Sequence, residues 1–288
     1  MDRTDIVVAF ALAAEAGGAA GLRIEGVETV RAVRAATRLP IIGLVKRADP
    51  STPIIITPTR ADVVALAEAG ADIVAAGRSE PAETAARIEA AGRRFLFIDA
   101  DLGSTEPLQR VAEEALAFQG RLDILVNNAG TIHRADSLDV TEADWDTVMN
   151  TNLKSLFFLS QAVARQMAAK GGGKIINVAS LLSFQGGVRV PAYTASKSAV
   201  AGLTRALANE WAQRGINVNA IAPGYFETNN TAPLREDPVR APAILARIPA
   251  GRWGTPSDLA GAAVFLASRA SDYVHGIVLP VDGGWLAR

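Results

Sequence analysis

Apolar residues along this chain follow two alternating rhythms. Short runs rich in β-branched side chains occur at Pro40–Val45, Pro53–Thr57, Asp72–Ala75, Phe95–Asp99, Asp123–Val126, Lys174–Val178, Asn217–Ile221 and Gly276–Val281. Runs of this length and composition predict buried parallel strands. Between them lie alanine-rich stretches with helical periodicity, at Glu106–Gln119, Thr141–Lys170, Ala195–Arg214 and Thr255–Ser268. Thr141-Glu-Ala-Asp144 and Thr255-Pro-Ser-Asp258 each place a capping oxygen three residues before an acid, which predicts two helix starts. Strands that alternate with crossover helices predict an α/β fold built on a doubly wound parallel sheet, a three-layer sandwich. Residues 221–255, rich in proline and asparagine, predict a long loop with short helices covering a substrate.

A chain of 288 residues is long enough to bury a sizeable core. Its net charge of −1 provides no basic field for nucleic acid. There are no cysteines and only two histidines, His133 and His275, so disulfides and thiolate metal sites are excluded and a zinc centre is not expected. No apolar stretch reaches membrane-spanning length, and the amino terminus lacks a basic region followed by an apolar run and a cleavage site. A cytoplasmic location is the expectation.

The chemistry concentrates in Tyr193-Thr-Ala-Ser-Lys197, with Ser180 ahead of it. A tyrosine and a lysine four apart on a helix share a face. A phenol is a poor acid at neutral pH, and an adjacent ammonium favours the phenolate. That pairing suits proton exchange with a substrate hydroxyl or carbonyl. Ser180 ends the run Lys174-Ile-Ile-Asn-Val-Ala-Ser180, at the tip of a predicted strand, within reach of the same oxygen.

Three further segments stand in order around this pair. They are Leu122-Asp-Ile-Leu-Val-Asn127-Asn128-Ala129-Gly130, Asn150-Thr-Asn152-Leu-Lys, and Asn217-Val-Asn-Ala-Ile-Ala-Pro223-Gly224-Tyr-Phe-Glu-Thr228. Together with Ser180 and the Tyr-Lys pair they resemble the short-chain dehydrogenase/reductase family over roughly 210 residues. Ser183-Phe-Gln-Gly-Gly-Val-Arg-Val-Pro191, Arg247-Ile-Pro-Ala-Gly-Arg-Trp-Gly254 and Val281-Asp-Gly-Gly-Trp-Leu-Ala-Arg288 are similar to its members acting on 2-dehydro-3-deoxy-gluconate-type sugar acids. The resemblance implies an NAD(P)-dependent oxidoreductase with Asn152, Ser180, Tyr193 and Lys197 as the catalytic set. It gives Asn152 a water between Lys197 and solvent. It also implies that Asp101 and Leu102 hold the adenine, that Asn128, Ala129 and Gly130 line the nicotinamide ribose, and that Pro223, Gly224 and Thr228 hold the carboxamide. Gln185, Arg189 and Asn229-Asn230 lie where the family places its substrate, with Arg189 as the candidate cation for a carboxylate. Arg78 after Gly77 suits a ribose 2′-phosphate and points to NADP, whereas the closest resemblance points to NAD, so both cofactors stay open. The helices Thr141–Lys170 and Ala195–Arg214 and the ending Val281–Arg288 match the family's interfaces and imply a homotetramer, with a dimer as the alternative.

The family's glycine-rich phosphate loop has no counterpart here. After Ile54-Ile-Ile-Thr57 stands Pro58-Thr59-Arg60-Ala61-Asp62, which is shorter, has no glycine, and places an acid in the first turn of the next helix. Cofactor binding is therefore expected to be weak. Residues 1–75 instead resemble early strands of the N-acylglucosamine-6-phosphate 2-epimerase family, a (β/α)8 barrel, with Lys46 matching its proton-transfer lysine beside Arg23 and Glu25. The partner carboxylate and phosphate loops of that barrel are missing. Residues 1–52 are read as an atypical βα extension, and 53–288 as a Rossmann-like dehydrogenase domain with Pro53–Thr57 as its central strand. Three functions stay open: a sugar-acid oxidoreductase, a scaffold impaired in cofactor binding, and a sugar-phosphate epimerase using Lys46.

Overall fold

Every described strand pairs in parallel, as buried β-branched runs joined by helices require. The computed structural model describes residues 22–25, 41–44, 72–90, 92–228 and 231–288. The strands are β1 (Leu22–Glu25), β2 (Ile41–Leu44), β3 (Ile73–Gly77), β4 (Phe95–Asp99), β5 (Ile124–Asn127), β6 (Gly173–Val178), β7 (Ile216–Pro223) and β8 (Val278–Val281). The helices are α1 (Ala82–Ala90), α2 (Leu108–Gln119), α3 (Glu142–Met149), α4 (Ser155–Ala169), α5 (Pro191–Trp211), α6 (Ala232–Arg235), α7 (Arg240–Arg247) and α8 (Ala260–Ala267). Among the described residues, β1 pairs with β2, β3 with β4, and β5-β6-β7-β8 form a four-stranded sheet in that order. The expected strand Pro53–Thr57 and the 58–62 loop lie outside the described residues, as does Lys46.

Period-two alternation along β6 and β7 builds the layers. Ile175 and Val218 face one side, packing with Val163 and Met167 of α4 and Leu207 of α5. Ile176 and Ile221 face the other, against Leu266 of α8, Leu259 and Phe226. Ile98, Val111 and Ala115 carry the core from β4 through α2 to Leu159 of α4, so one helix layer spans both sheets. The result is the expected Rossmann-like sandwich. All eight residues of β7 are buried, including Asn217 and Asn219, whose amides donate to the Val274 carbonyl at 3.0 and 2.8 Å.

Both predicted capping boxes form. Thr141 and Asp144 exchange hydrogen bonds at the start of α3. Thr255 and Asp258 do so ahead of α8, with Arg252 adding two bonds to the same carboxylate at 2.7 and 2.8 Å. Two expectations need correction. Thr141–Lys170 is not one helix: a π-turn at Asn150–Lys154 separates α3 from α4, and the Ser155 N–H bonds the Asn150 carbonyl. Within that turn Asn152 is held to the loop after β5. The tyrosine helix also starts four residues earlier than predicted, at Pro191, whose fixed φ and missing N–H suit the first helical position.

Candidate active site

The carboxyl ends of β5, β6 and β7 converge with the first turns of α5. Ser180 follows β6 in an extended conformation (φ −163°) and N-caps a short 3-10 turn, its Oγ accepting from the Leu182 N–H at 3.2 Å. Ser183 closes the same turn from its own side and donates to the Lys197 carbonyl at 2.6 Å. The serine is thus fixed between strand and helix, and its hydroxyl hydrogen-bonds Tyr193.

Tyr193 and Lys197 share a face of α5, with Lys197 Nζ 5.7 Å from the centre of the tyrosine ring. Lys197 is 4% exposed and donates to the Val178 carbonyl at 2.7 Å. Burial lowers its pKa to about 8. Burial raises the pKa of Tyr193, and the Ser180 hydrogen bond and the charge of Arg134 oppose that rise. The lowering assigned to Lys197 from sequence therefore comes here from Ser180 and Arg134, because the ammonium is aimed at the Val178 carbonyl.

The depressed Lys197 pKa has a consequence for stability. The unfolded chain binds this proton up to pH 10.5 and the folded chain only up to about 8, so the burial penalty is relieved as pH rises through that window. The stability of the wild type relative to Lys197→Met should therefore rise by about 3 kcal/mol from neutral pH to about pH 11. Denaturant unfolding of both proteins across that range checks this; a pH-independent difference would mean that Lys197 is not desolvated.

Asn152 is fully buried in the π-turn. Its Oδ1 accepts from the Thr131 N–H at 2.7 Å, and its Nδ2 donates to the Thr131 carbonyl at 2.9 Å and to Ser196 Oγ at 3.1 Å. Ser196 donates in turn to the Tyr193 carbonyl at 2.8 Å. The asparagine side chain therefore ties the loop after β5 to the tyrosine helix; its sequence-assigned part was to hold a water. Behind it, Asn127 donates to Ser160 Oγ at 2.8 Å and to Asn177 Oδ1 at 2.9 Å, and Asn177 donates to Thr204 at 2.9 Å. This buried polar chain anchors the end of β5.

The residues expected to hold a dinucleotide lie along the same carboxyl edge. Ala129 and Gly130 are exposed, and a Cβ on Gly130 would stand 3.3 Å from Asn152 Oδ1 and 3.8 Å from Lys197 Nζ. The glycine thus leaves open the approach to Lys197 that a ribose needs. Gly224 abuts Asp282, where a Cβ would come within 2.6 Å of the backbone, so the turn after β7 requires glycine. Thr228 is buried beside Thr231, with its hydroxyl 3.3 Å from the Thr231 hydroxyl. Gly77 ends β3 in open space and Arg78 is exposed beyond it. Asp101 caps its own turn by accepting from the Gly103 N–H at 2.9 Å, and Leu102 packs on the β4 cluster. The nicotinamide and adenosine ends of the cofactor fit this edge.

Of the residues expected at the substrate, Gln185 accepts at Oε1 from the Trp285 indole at 3.2 Å, which orients its amide. Arg189 is exposed with φ of 63°, and its carbonyl accepts from the Ala135 N–H at 3.1 Å. Asn229 and Asn230 lie outside the described residues. Sequence reading missed Arg134, four residues beyond Gly130, whose charge acts on Tyr193. No periodicity marks a loop arginine; only the turn after β5 brings it to the rim. Among the described residues there is no cluster of three or more acidic, histidine or cysteine side chains suited to a metal, and no helix is long and apolar enough to cross a membrane.

Comparison with known proteins agrees with this geometry. The family model described as "Enoyl-(Acyl carrier protein) reductase" matches residues 60–286. A 2-dehydro-3-deoxy-D-gluconate 5-dehydrogenase of Dickeya dadantii is 62% identical over 226 residues, covering 78% of this chain and 89% of that protein. Its counterpart in Escherichia coli is 61% identical over 224 residues, covering 77% and 88%. The crystal structure of a gluconate 5-dehydrogenase from Burkholderia cenocepacia, in complex with NADP and tartrate, superposes with a TM-score of 0.74 at 40% identity, covering 79% of this chain and 91% of that one. With the parallel sandwich, the serine-tyrosine-lysine site and these matches together, the chain belongs to the short-chain dehydrogenase/reductase family.

Proposed function

We propose that the protein is an NAD(P)-dependent oxidoreductase that interconverts a secondary alcohol and a carbonyl on a sugar acid of the gluconate or 2-dehydro-3-deoxy-gluconate type. The observation that carries this reading is Tyr193 held against Ser180 with Lys197 one turn away. A nicotinamide cofactor held along this edge would supply the hydride acceptor or donor. Tyr193 takes the hydroxyl proton during oxidation and returns it during reduction. Ser180 hydrogen-bonds the same substrate oxygen and stabilises charge as it develops there. Lys197, one turn along α5 from the tyrosine, would meet the ribose hydroxyls, and Asn152 fixes the loop and helix that carry the others. Arg78, Asp101 and Leu102 would hold the adenosine end, Asn128, Ala129 and Gly130 the nicotinamide ribose, and Pro223, Gly224 and Thr228 the carboxamide. Gln185 and Arg189 border the substrate. Arg78 after Gly77 favours NADP, in line with the NADP bound to the Burkholderia relative. Steady-state reduction of NADP+ and NAD+ with D-gluconate and 2-dehydro-3-deoxy-D-gluconate tests the reading. Turnover with either acid is expected; its absence with both cofactors would refute it.

We also infer a homotetramer in the cytoplasm. Support for assembly comes from an apolar groove of about 620 Å³ between α4 and α5, lined by Met149, Leu153, Phe157, Phe158 and Leu203. Phe158 is 42% exposed there, and Ala199, Gly202 and Ala206 leave the α5 side shallow enough for a second helix pair. Light scattering at micromolar concentration should give four chains per particle; a monomer would contradict the inference.

A further inference from the structure

Trp285 is 3% exposed and is held by neighbours from several parts of the chain. Gly283 and Gly284, at φ of 62° and 90°, bring it in past Ile248 and Pro249. A Cβ on either glycine would meet those side chains at 2.9 and 3.0 Å. The Asp282 carboxylate fixes the turn by accepting from the Gly284 and Leu286 N–H groups, each at 2.9 Å. The indole packs with Leu181, Ile244 and Ile248, its ring centre 4.6 Å from that of Tyr225 and 4.0 Å from the Arg247 guanidinium. Its one polar atom goes to Gln185 Oε1 at 3.2 Å. An indole nitrogen only donates, so the amide oxygen must face it and the NH2 group is turned away as a pure donor. Leu181 directly follows Ser180, and the Gln185 N–H bonds the Leu181 carbonyl at 3.2 Å. Trp285 therefore touches both ends of the turn that leaves the active-site serine. Helix α5 braces the middle of that turn, where Ser198 donates to the Leu182 carbonyl at 3.1 Å and Ser183 to the Lys197 carbonyl.

We propose that Trp285 is a positioning residue: packed on Leu181 and bonded to Gln185, it aims the Gln185 NH2 group at an oxygen of the sugar acid held at Ser180 and Tyr193. This rests on the sugar-acid reading above. It gives the indole N–H a part in substrate affinity, exerted wholly through the amide that it orients.

The test is a double-mutant cycle in millimolar NADP+, with D-gluconate and 2-dehydro-3-deoxy-D-gluconate as substrates. Trp285→Phe keeps a ring against Leu181 and Arg247 and removes only the indole donor. It should raise KM by about 3- to 10-fold, the loss expected of one neutral hydrogen bond, with kcat within about twofold of wild type. Gln185→Leu should raise KM at least as much, and the double variant no further than Gln185→Leu alone. Gln185→Glu still accepts from the indole but offers the substrate no N–H, so it should raise KM by about tenfold or more. Thermal unfolding of each variant verifies the fold. With an active wild type, a KM rise below about threefold in Trp285→Phe or in Gln185→Glu would overturn the positioning role alone. So would effects of Trp285→Phe and Gln185→Leu that multiply in the double variant, since the indole would then act independently of the amide. A wild type that oxidises neither acid would overturn the sugar-acid reading and the positioning role with it.

Discussion

Tyr193→Phe should lower turnover by roughly 10²- to 10⁴-fold while leaving the fold and substrate affinity nearly intact. Phenylalanine keeps the ring that packs near Lys197 and removes only the hydroxyl. That hydroxyl is the group that Ser180 and Arg134 act on, both favouring its ionised form against the cost of burial. The loss should therefore appear in kcat rather than KM, the pattern of an interaction made in the transition state. Steady-state kinetics with thermal unfolding as a control would check it. An unchanged rate would remove Tyr193 from the proton-transfer role.

Replacing residues 1–62 with a segment that carries a strand and a glycine-rich phosphate loop should tighten dinucleotide binding by about two to four decades. A pyrophosphate rests on several backbone N–H groups and a helix N-terminus, each charge-assisted bond contributing roughly 1.5–3 kcal/mol. Pro58-Thr59-Arg60-Ala61-Asp62 has no glycine to let the backbone approach, Pro58 has no N–H to offer, and Asp62 adds a repelling charge. Loss of two donors corresponds to roughly 3–6 kcal/mol. Calorimetry with NADPH on both chains measures the difference. Equal, low-micromolar binding by both would mean that other donors, Arg60 among them, already serve the phosphates.

The parallel sandwich was legible because β6 and β7 are short runs rich in β-branched residues and α2, α4 and α5 have clear helical periodicity. Both capping boxes could be read from residue types three apart. Tyr193, Lys197 and Ser180 were legible for the same reason: a helix spacing of four and a strand end place them by local geometry alone. The π-turn was not. It holds Asn152, which bonds Thr131 21 residues away in sequence, a contact that no local pattern reports. The same holds for Arg134, whose charge reaches Tyr193 only through the turn after β5. Gln185 was read from sequence as a substrate-side residue, but its hydrogen-bond partner Trp285 lies 100 residues away. Long-range polar contacts of this kind decide which side chains face the opening, and only the tertiary structure supplies them.

The central claim is hydride transfer between a sugar-acid carbon and a nicotinamide, with Tyr193 handling the proton. It is tested most directly with D-gluconate deuterated at C5, incubated with the protein and NADP+ and followed by mass spectrometry of the cofactor. The account predicts reduced cofactor carrying the deuterium, formed by the wild type and nearly abolished in Tyr193→Phe. Deuterium released to water without reduced cofactor would indicate proton abstraction of the epimerase kind, and no transfer at all would indicate a scaffold without activity; either result would contradict the account.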